Sequence, residues 1–277
     1  MKKIIVPIDF SEHSEYALKT AVRLAKRNDA KILALHMLEI SELIFTTDDA
    51  EQHQKAIFFL KLAEKKFKKF LKKDYLEGVS ITPIVKHYKV FSEVNEVAKE
   101  YDADLIVMGS HGASGIKEFF VGSNTERVVR NAEIPVLVVK TDLPNINFDT
   151  VIFATDFDLE NIKPYLNAIK MFEKFGSKFK MLYVNLPNEN FRSTVEIEKR
   201  IAEFLQTADG NLDRIGDVAY QADYSVEQGV VNYSNKIGAD LIAIPTHGRT
   251  GVTHFFSGSI GEDIVNHSSL PVITFKI

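Results

Sequence analysis

Residues 102–140, DADLIVMGSHGASGIKEFFVGSNTERVVRNAEIPVLVVK, align without a gap onto residues 238–276, GADLIAIPTHGRTGVTHFFSGSIGEDIVNHSSLPVITFK. The two stretches share 16 identities in 39 positions, at an offset of 136. So long a gapless match marks duplication of a whole folding unit. At 277 residues the chain has the length of two domains of ordinary size, and the repeat divides it that way.

Working outward, each half opens on an apolar run that ends in aspartate: Ile4 to Asp9, and Val151 to Asp156. Such runs lack alternation and read as strands buried on both faces of a parallel sheet. Ser11 is placed to cap a helix over EHSEYALKTAVRLAKR, and the matching helix of the second half is expected near Pro164. Further strands are expected at Ile32–Met37, Ile81–Lys86, Leu105–Met108 and Val136–Val139. Their counterparts are Phe179–Val184, Val218–Ala222, Leu241–Ile244 and Val272–Phe275. Strands alternating with helices give an α/β architecture: two tandem domains, 1–141 and 149–277, each a parallel sheet with helices on both faces. Thr141–Phe148 reads as the linker. The Asp9–Asp156 offset of 147 exceeds that of the repeat by 11 residues, which are expected to lengthen Ser41–Lys73 of the first half. The lysines there read as the solvated face of an amphipathic helix.

Gly109, Gly112 and Gly122-Ser123 punctuate the first copy. Gly109 ends a buried strand, where a missing side chain would let a sugar or phosphate approach the backbone. Gly122-Ser123 precedes a helix expected from about Asn124 to Asn131, whose N-terminal amides suit a phosphate chain. The plainer alternative is a capping box at Ser123-Asn124-Thr125-Glu126, repeated as Ser259-Ile260-Gly261-Glu262. In favour of the ligand reading, the loop and Asp9 follow strands that can flank a topological switch point.

The segments IVPIDFSE (5–12), DLIVMGSHGASG (104–115), VGSNTERVV (121–129) and PVLVV (135–139) resemble the universal stress proteins in their tandem two-domain form. The Gly109-Gly112-Gly122-Ser123 spacing matches that family's ATP-binding signature. The resemblance implies a doubly wound five-stranded sheet of order 3-2-1-4-5 in each domain, with ATP, carrying Mg²⁺, across the carboxyl ends of strands one and four. By position, Asp9 and the main chain of Met37 would contact adenine. Pro7, Met108, Gly109, His111 and Gly112 would line the adenosine side, and Gly122, Ser123, Asn124 and Thr125 would hold ribose and phosphates. Family dimers associate through strand five, which implies an internal pseudo-dimer here. Whether two chains pair further into a homodimer is left open. The second copy keeps Asp156, Gly248, Gly258 and Ser259, but Pro245 and Ile260 replace Gly109 and Asn124. Proline offers no N–H, so the second domain is expected to act as a dimerisation partner with a degenerate motif.

Other chemistries are disfavoured. The chain has no cysteine, which removes disulfides and thiolate nucleophiles. No P-loop, dinucleotide fingerprint or nucleophile elbow occurs. His111 and His247 recur in one context with no carboxylate nearby in sequence, and the remaining histidines lack metal-ligand spacing. Glu118 reads as a solvated loop carboxylate. No catalytic residue is assigned. A net charge of -4 without basic–aromatic interleaving gives no reason to expect nucleic acid, and no apolar run has membrane-spanning length. The expected protein is a cytoplasmic, ATP-binding regulator of stress response. A slow ATP hydrolase and a ligand-free dimerisation scaffold stand as alternatives.

Overall fold

The computed structural model describes residues 1–38, 49–87, 90–110, 122–144, 146–187, 191–247 and 259–277. The chain divides into two compact units, with the boundary between residues 144 and 145.

The first unit contains β1 (Lys3–Pro7), α1 (Glu12–Asn28), β2 (Lys31–Leu38), α2 (Asp49–Phe70), β3 (Ile81–His87), α3 (Val90–Glu100), β4 (Leu105–Gly109), α4 (Ser123–Asn131) and β5 (Val136–Val139). The second contains β6 (Thr150–Ala154), α5 (Ile162–Glu173), β7 (Lys178–Asn185), α6 (Thr194–Asp209), β8 (Val218–Ala222), α7 (Val226–Ile237), β9 (Leu241–Thr246), α8 (Ser259–His267) and β10 (Val272–Lys276). Within each unit every strand pair is parallel. The orders are β3-β2-β1-β4-β5 and β8-β7-β6-β9-β10, the 3-2-1-4-5 arrangement in both. Right-handed crossovers that run one way from the first strand and then reverse place helices on both faces.

Sequence explains the elements. β4, β5 and β9 are buried at every residue, as strands covered on both sides must be. Ser11 caps α1 as expected, accepting from the Ser14 N–H, and Asp29 closes the helix in a left-handed conformation. A short 3₁₀ turn, Leu159–Asn161, leads into α5, which puts Pro164 in the first turn. α2 runs 22 residues where α6 runs 16, and this takes up the largest share of the extra length in the first half. Among the described residues no helix is long and apolar enough to cross a membrane.

The two cores differ in chemistry. Fully buried large side chains of the first unit are aliphatic, among them Ile4, Ile5, Leu18, Leu24 and Ile32. The second packs Phe153, Phe157, Tyr165, Phe172, Tyr183, Phe204 and Phe275. Edge-to-face pairs such as Phe157–Phe204 and Tyr165–Phe204 set ring centroids 5.3 and 5.2 Å apart. Phe148, read from sequence as the end of the linker, is buried against Phe172 and Phe175.

Beyond β5, Asp142 returns to α1, meeting Lys19 at 3.0 Å and Arg23 at 2.8 Å. Partial desolvation raises the Asp142 carboxyl pKa, but the two cations outweigh it and hold the group below its usual value. Its contribution to stability is therefore present above the unfolded carboxylate pKa and lost as pH falls through the folded one. The carboxylate is a third exposed, so Asp142→Asn should lower stability by no more than about 1 kcal/mol near neutral pH. Urea unfolding should show that difference shrinking toward pH 3 and in high salt.

Candidate functional site

Pairing of Ile4 with Leu105 and of Ile5 with Ile106 makes β1 and β4 neighbours, and their parallel sense sends both chain exits to one edge of the sheet. This is where the strand order reverses, and the crevice outside such a point is the general ligand position in doubly wound sheets.

Asp9 shapes the first exit. Its Oδ1 accepts from the Ser11 backbone N–H at 3.0 Å and from the Ser11 hydroxyl at 2.5 Å. This side-chain turn aims the chain into α1. Phe10, between them, has φ 66°, a left-handed conformation that costs a non-glycine residue roughly 1–2 kcal/mol. Packing offsets the strain: the ring centroid lies 4.5 Å from His36, 5.2 Å from Phe67 and 5.6 Å from Phe70. The Lys66 ammonium sits 5.5 Å from the same centroid. His36 Nδ1 is 2.7 Å from the Ile8 carbonyl oxygen. Burial pushes the imidazole pKa down, and the bond to Ile8 only partly opposes it. The ring is thus neutral at pH 7, donating from Nδ1. Pro7 ends β1, half-buried beside Leu35, and Met37 stands half-buried near the end of β2. His36 had no signal in the sequence beyond its place next to Met37.

The second exit rests on Gly109. A Cβ built there would lie 2.6 Å from the His13 carbonyl oxygen and 2.7 Å from its carbon. Glycine at this position is thus demanded by the first turn of α1, whose main chain occupies the space a side chain would need. On the Cβ side of Gly109 the close approach expected of a ligand is made by the chain's own backbone. Met108, just before it, is buried in β4. The chain then closes on itself: the Ser110 N–H donates to Val139 O at 3.0 Å, and the Gly122 N–H donates to Ser110 O at 2.7 Å. Thr125 is buried, and its hydroxyl donates to the Gly109 carbonyl at 2.8 Å, tying the start of α4 to the end of β4.

Helix α4 begins one residue earlier than expected. Gly122 is its N-cap, with no side-chain hydrogen bond, so the capping-box alternative with Ser123 at the cap does not hold. The first hydrogen bond of the helix runs from the Glu126 N–H to Gly122 O. The amides of Ser123, Asn124 and Thr125 thus precede the intrahelical ladder, at the positive end of the helix dipole. The side chains of Ser123 and Asn124 are exposed. Such an end is chemically fit to receive an anion. His111 and Gly112, together with Glu118, lie outside the described residues, as do Gly248 and Gly258 of the second copy.

The second unit treats the same edge differently. Asp156 Oδ1 accepts from the Asp158 N–H at 3.0 Å and from Asn161 Nδ2 at 2.8 Å. Arg200, reaching over from α6, donates through Nε to the Asp156 carbonyl at 2.6 Å and through Nη2 to Asp158 Oδ2 at 3.0 Å. His247 Nε2 stands 3.1 Å from Glu160 Oε1. Burial raises the Asp156 carboxyl pKa, while the Asp158 amide and Arg200 pull against it. The outlet of β6 is therefore spanned by the chain's own guanidinium. Pro245 is tolerated because the β6–β9 ladder ends at Phe153–Ala243, two residues earlier. The Thr125 lock has no equivalent either, since Gly261 stands at that place in the repeat. Arg200 could not be singled out from sequence, because nothing in the spacing of a helix specifies which charge crosses to a distant turn. Among the described residues no group of three or more His, Asp or Glu is arranged to hold a metal ion.

The model for the universal stress protein family matches residues 1–140 and again 147–276. A universal stress protein of Methanocaldococcus jannaschii is 34% identical over 139 residues, half of this chain and 82% of its relative. A putative universal stress protein of Staphylococcus saprophyticus is 30% identical over 165 residues, 56% of this chain and 93% of that one. The crystal structure of a universal stress protein from Archaeoglobus fulgidus superposes with a TM-score of 0.65 at 23% identity. The match covers 99% of this chain and 96% of the other, a likeness of fold.

Two outcomes follow from the geometry. Gly109→Ala should destabilise the first unit by roughly 1–3 kcal/mol, because the clash is with main chain that no rotamer relieves. Equal stability in chemical denaturation would contradict the assignment of Gly109 to packing. Arg200→Met should cost roughly 1–2 kcal/mol at pH 7, the site being only part-buried. Because the folded pKa of Asp156 is raised, the stability tied to its proton is full below about pH 4 and lost as pH rises through the folded value. Melting curves should therefore show the Arg200→Met deficit narrowing as the buffer is acidified.

Proposed function

The chain belongs to the universal stress protein family, and on that premise we propose that it is a nucleotide-binding regulatory protein whose first unit takes ATP. The observation that carries this reading is the start of α4. Gly122 stands at its N-cap with no side chain to offer, and among the described residues the amides of Ser123, Asn124 and Thr125 precede the helical ladder at the sheet's switch point.

On this reading the triphosphate lies along Gly122, Ser123 and Asn124, carrying Mg²⁺ on its own oxygens. The adenosine lies between Pro7, Asp9 and the Met37 main chain on one side and Met108–Gly109 on the other. His111 and Gly112 are included in the proposal on the family signature alone. Thr125 contributes through its backbone N–H, since its hydroxyl is given to Gly109. Asp9, its Oδ1 bonded to Ser11, would meet the base by its position at the β1 exit. The second unit would serve as dimerisation partner, its own motif degenerate at Pro245 and its strand outlet spanned by the Arg200 bridge. A cytoplasmic, regulatory setting completes the proposal.

Titration of the full chain with a fluorescent ATP analogue should reach one ligand per chain. Gly122→Val should weaken binding at least tenfold, about 1.4 kcal/mol, and Ser123→Ala by a few-fold. Native mass spectrometry of the untreated protein gives an independent count. Lack of saturable binding at millimolar nucleotide overturns the proposal.

A further inference from the structure

Helix α2 and strand β3 enclose an open groove of about 590 Å³. Leu60, Phe67, Leu71, Pro83 and Val85 supply its apolar lining, with Glu64 and Lys68 among them. We propose that this groove docks an acidic amphipathic helix of a partner protein. The inference stands apart from the nucleotide reading and does not depend on it.

Three observations lead there. The first is charge. Lys61, Lys65, Lys68, Lys69 and Lys72 are all exposed along α2 and just past its end, on a chain whose net charge is -4. Lys61 and Lys68 recur at an interval of seven, which puts them on one side of α2 with the 40%-exposed Ile57, and Lys72 follows two residues past the helix end. Apolar surface edged by cations selects an anionic amphipath.

The second is the comparison built into the duplication. Helix α6 holds the same place after the second strand of its unit, and it carries Glu196, Glu198, Glu203 and Asp209 against Lys199 and Arg200. The lysines of α2 are therefore not required by the fold, which forms without them in the other copy.

The third is shape. β3 ends the strand order and pairs with β2 alone among the described residues, so its outer edge borders the groove. Pro83 lies in that strand and cannot give an N–H to an added neighbour, which blunts the edge against strand addition. A helix laid in the groove needs no such donor. The span from Leu60 to Leu71 is about 17 Å, room for apolar anchors on three turns of a partner helix.

The test is fluorescence anisotropy on the full chain with two stapled helical peptides of about 15 residues. One carries leucines at i, i+4, i+7 and i+11 with glutamate elsewhere; the other has lysine for glutamate. The acidic probe should bind saturably and at least tenfold more tightly than the basic one, and weaken several-fold in 0.5 M salt. The triple variant Lys61→Glu, Lys68→Glu, Lys72→Glu should lose at least tenfold while keeping its circular dichroism, all three positions being exposed. Leu71→Asp, read beside it, reports the apolar part. The proposal fails if the acidic probe does not bind, if both probes bind alike, or if the triple variant retains full affinity. Vesicles containing phosphatidylserine form the last arm. Sedimentation of the chain with them, without peptide binding, would make this face a membrane contact and overturn the proposal.

Discussion

Parallel pairing of β1 with β4 is the constraint on which the first unit's site depends. It brings two chain exits, distant in sequence, to one end of the sheet, and each exit must then be turned without collision. The Asp9–Ser11 turn settles one and the bare α-carbon of Gly109 settles the other, letting the first turn of α1 lie against the end of β4. With Thr125 bonded to the Gly109 carbonyl, the start of α4 is held at the same edge. Whatever chemistry occurs there is thus organised by main chain, and side chains act mainly as struts.

The architecture was legible because its signals are local and repeated. Unalternating runs such as Leu105–Met108 can only be strands covered on both faces, and the gapless repeat transfers each assignment to the second half. Boundaries differ by a residue or two, as at α4, expected from about Asn124, where Ser123 offers a good capping residue. Helix α4 instead starts from Gly122, because the Gly122 N–H is already anchored to Ser110 and fixes where the helix can begin. The site was legible as a set of positions but less so as a set of reasons. Gly109 is required by His13, a neighbour nearly one hundred residues away in sequence, and Arg200 reaches its turn across 44 residues. Contacts of that kind are made by tertiary packing, and no periodicity announces them.

Comparison of the two units shows which features the fold itself requires. Both use an aspartate to turn the chain out of the first strand, and both fill the interior, one with aliphatic and the other with aromatic side chains. What separates them is concentrated at the strand outlets. Gly109 and Thr125 of one copy stand where Pro245 and Gly261 stand in the other, so a hydrogen-bonded lock has been exchanged as a pair. The second copy meanwhile carries an internal cation over its carboxylates.

Phe10 and Phe157 each follow the turning aspartate, and each adopts a left-handed backbone, with φ of 66° and 57°. Glycine would fit that conformation without strain, yet both copies hold a phenylalanine whose ring is packed inward. The same awkward solution therefore stands in both copies while the outlets around it differ. The mouths of the two domains are built differently, but the hinge pin on which each one's first helix is hung is the same.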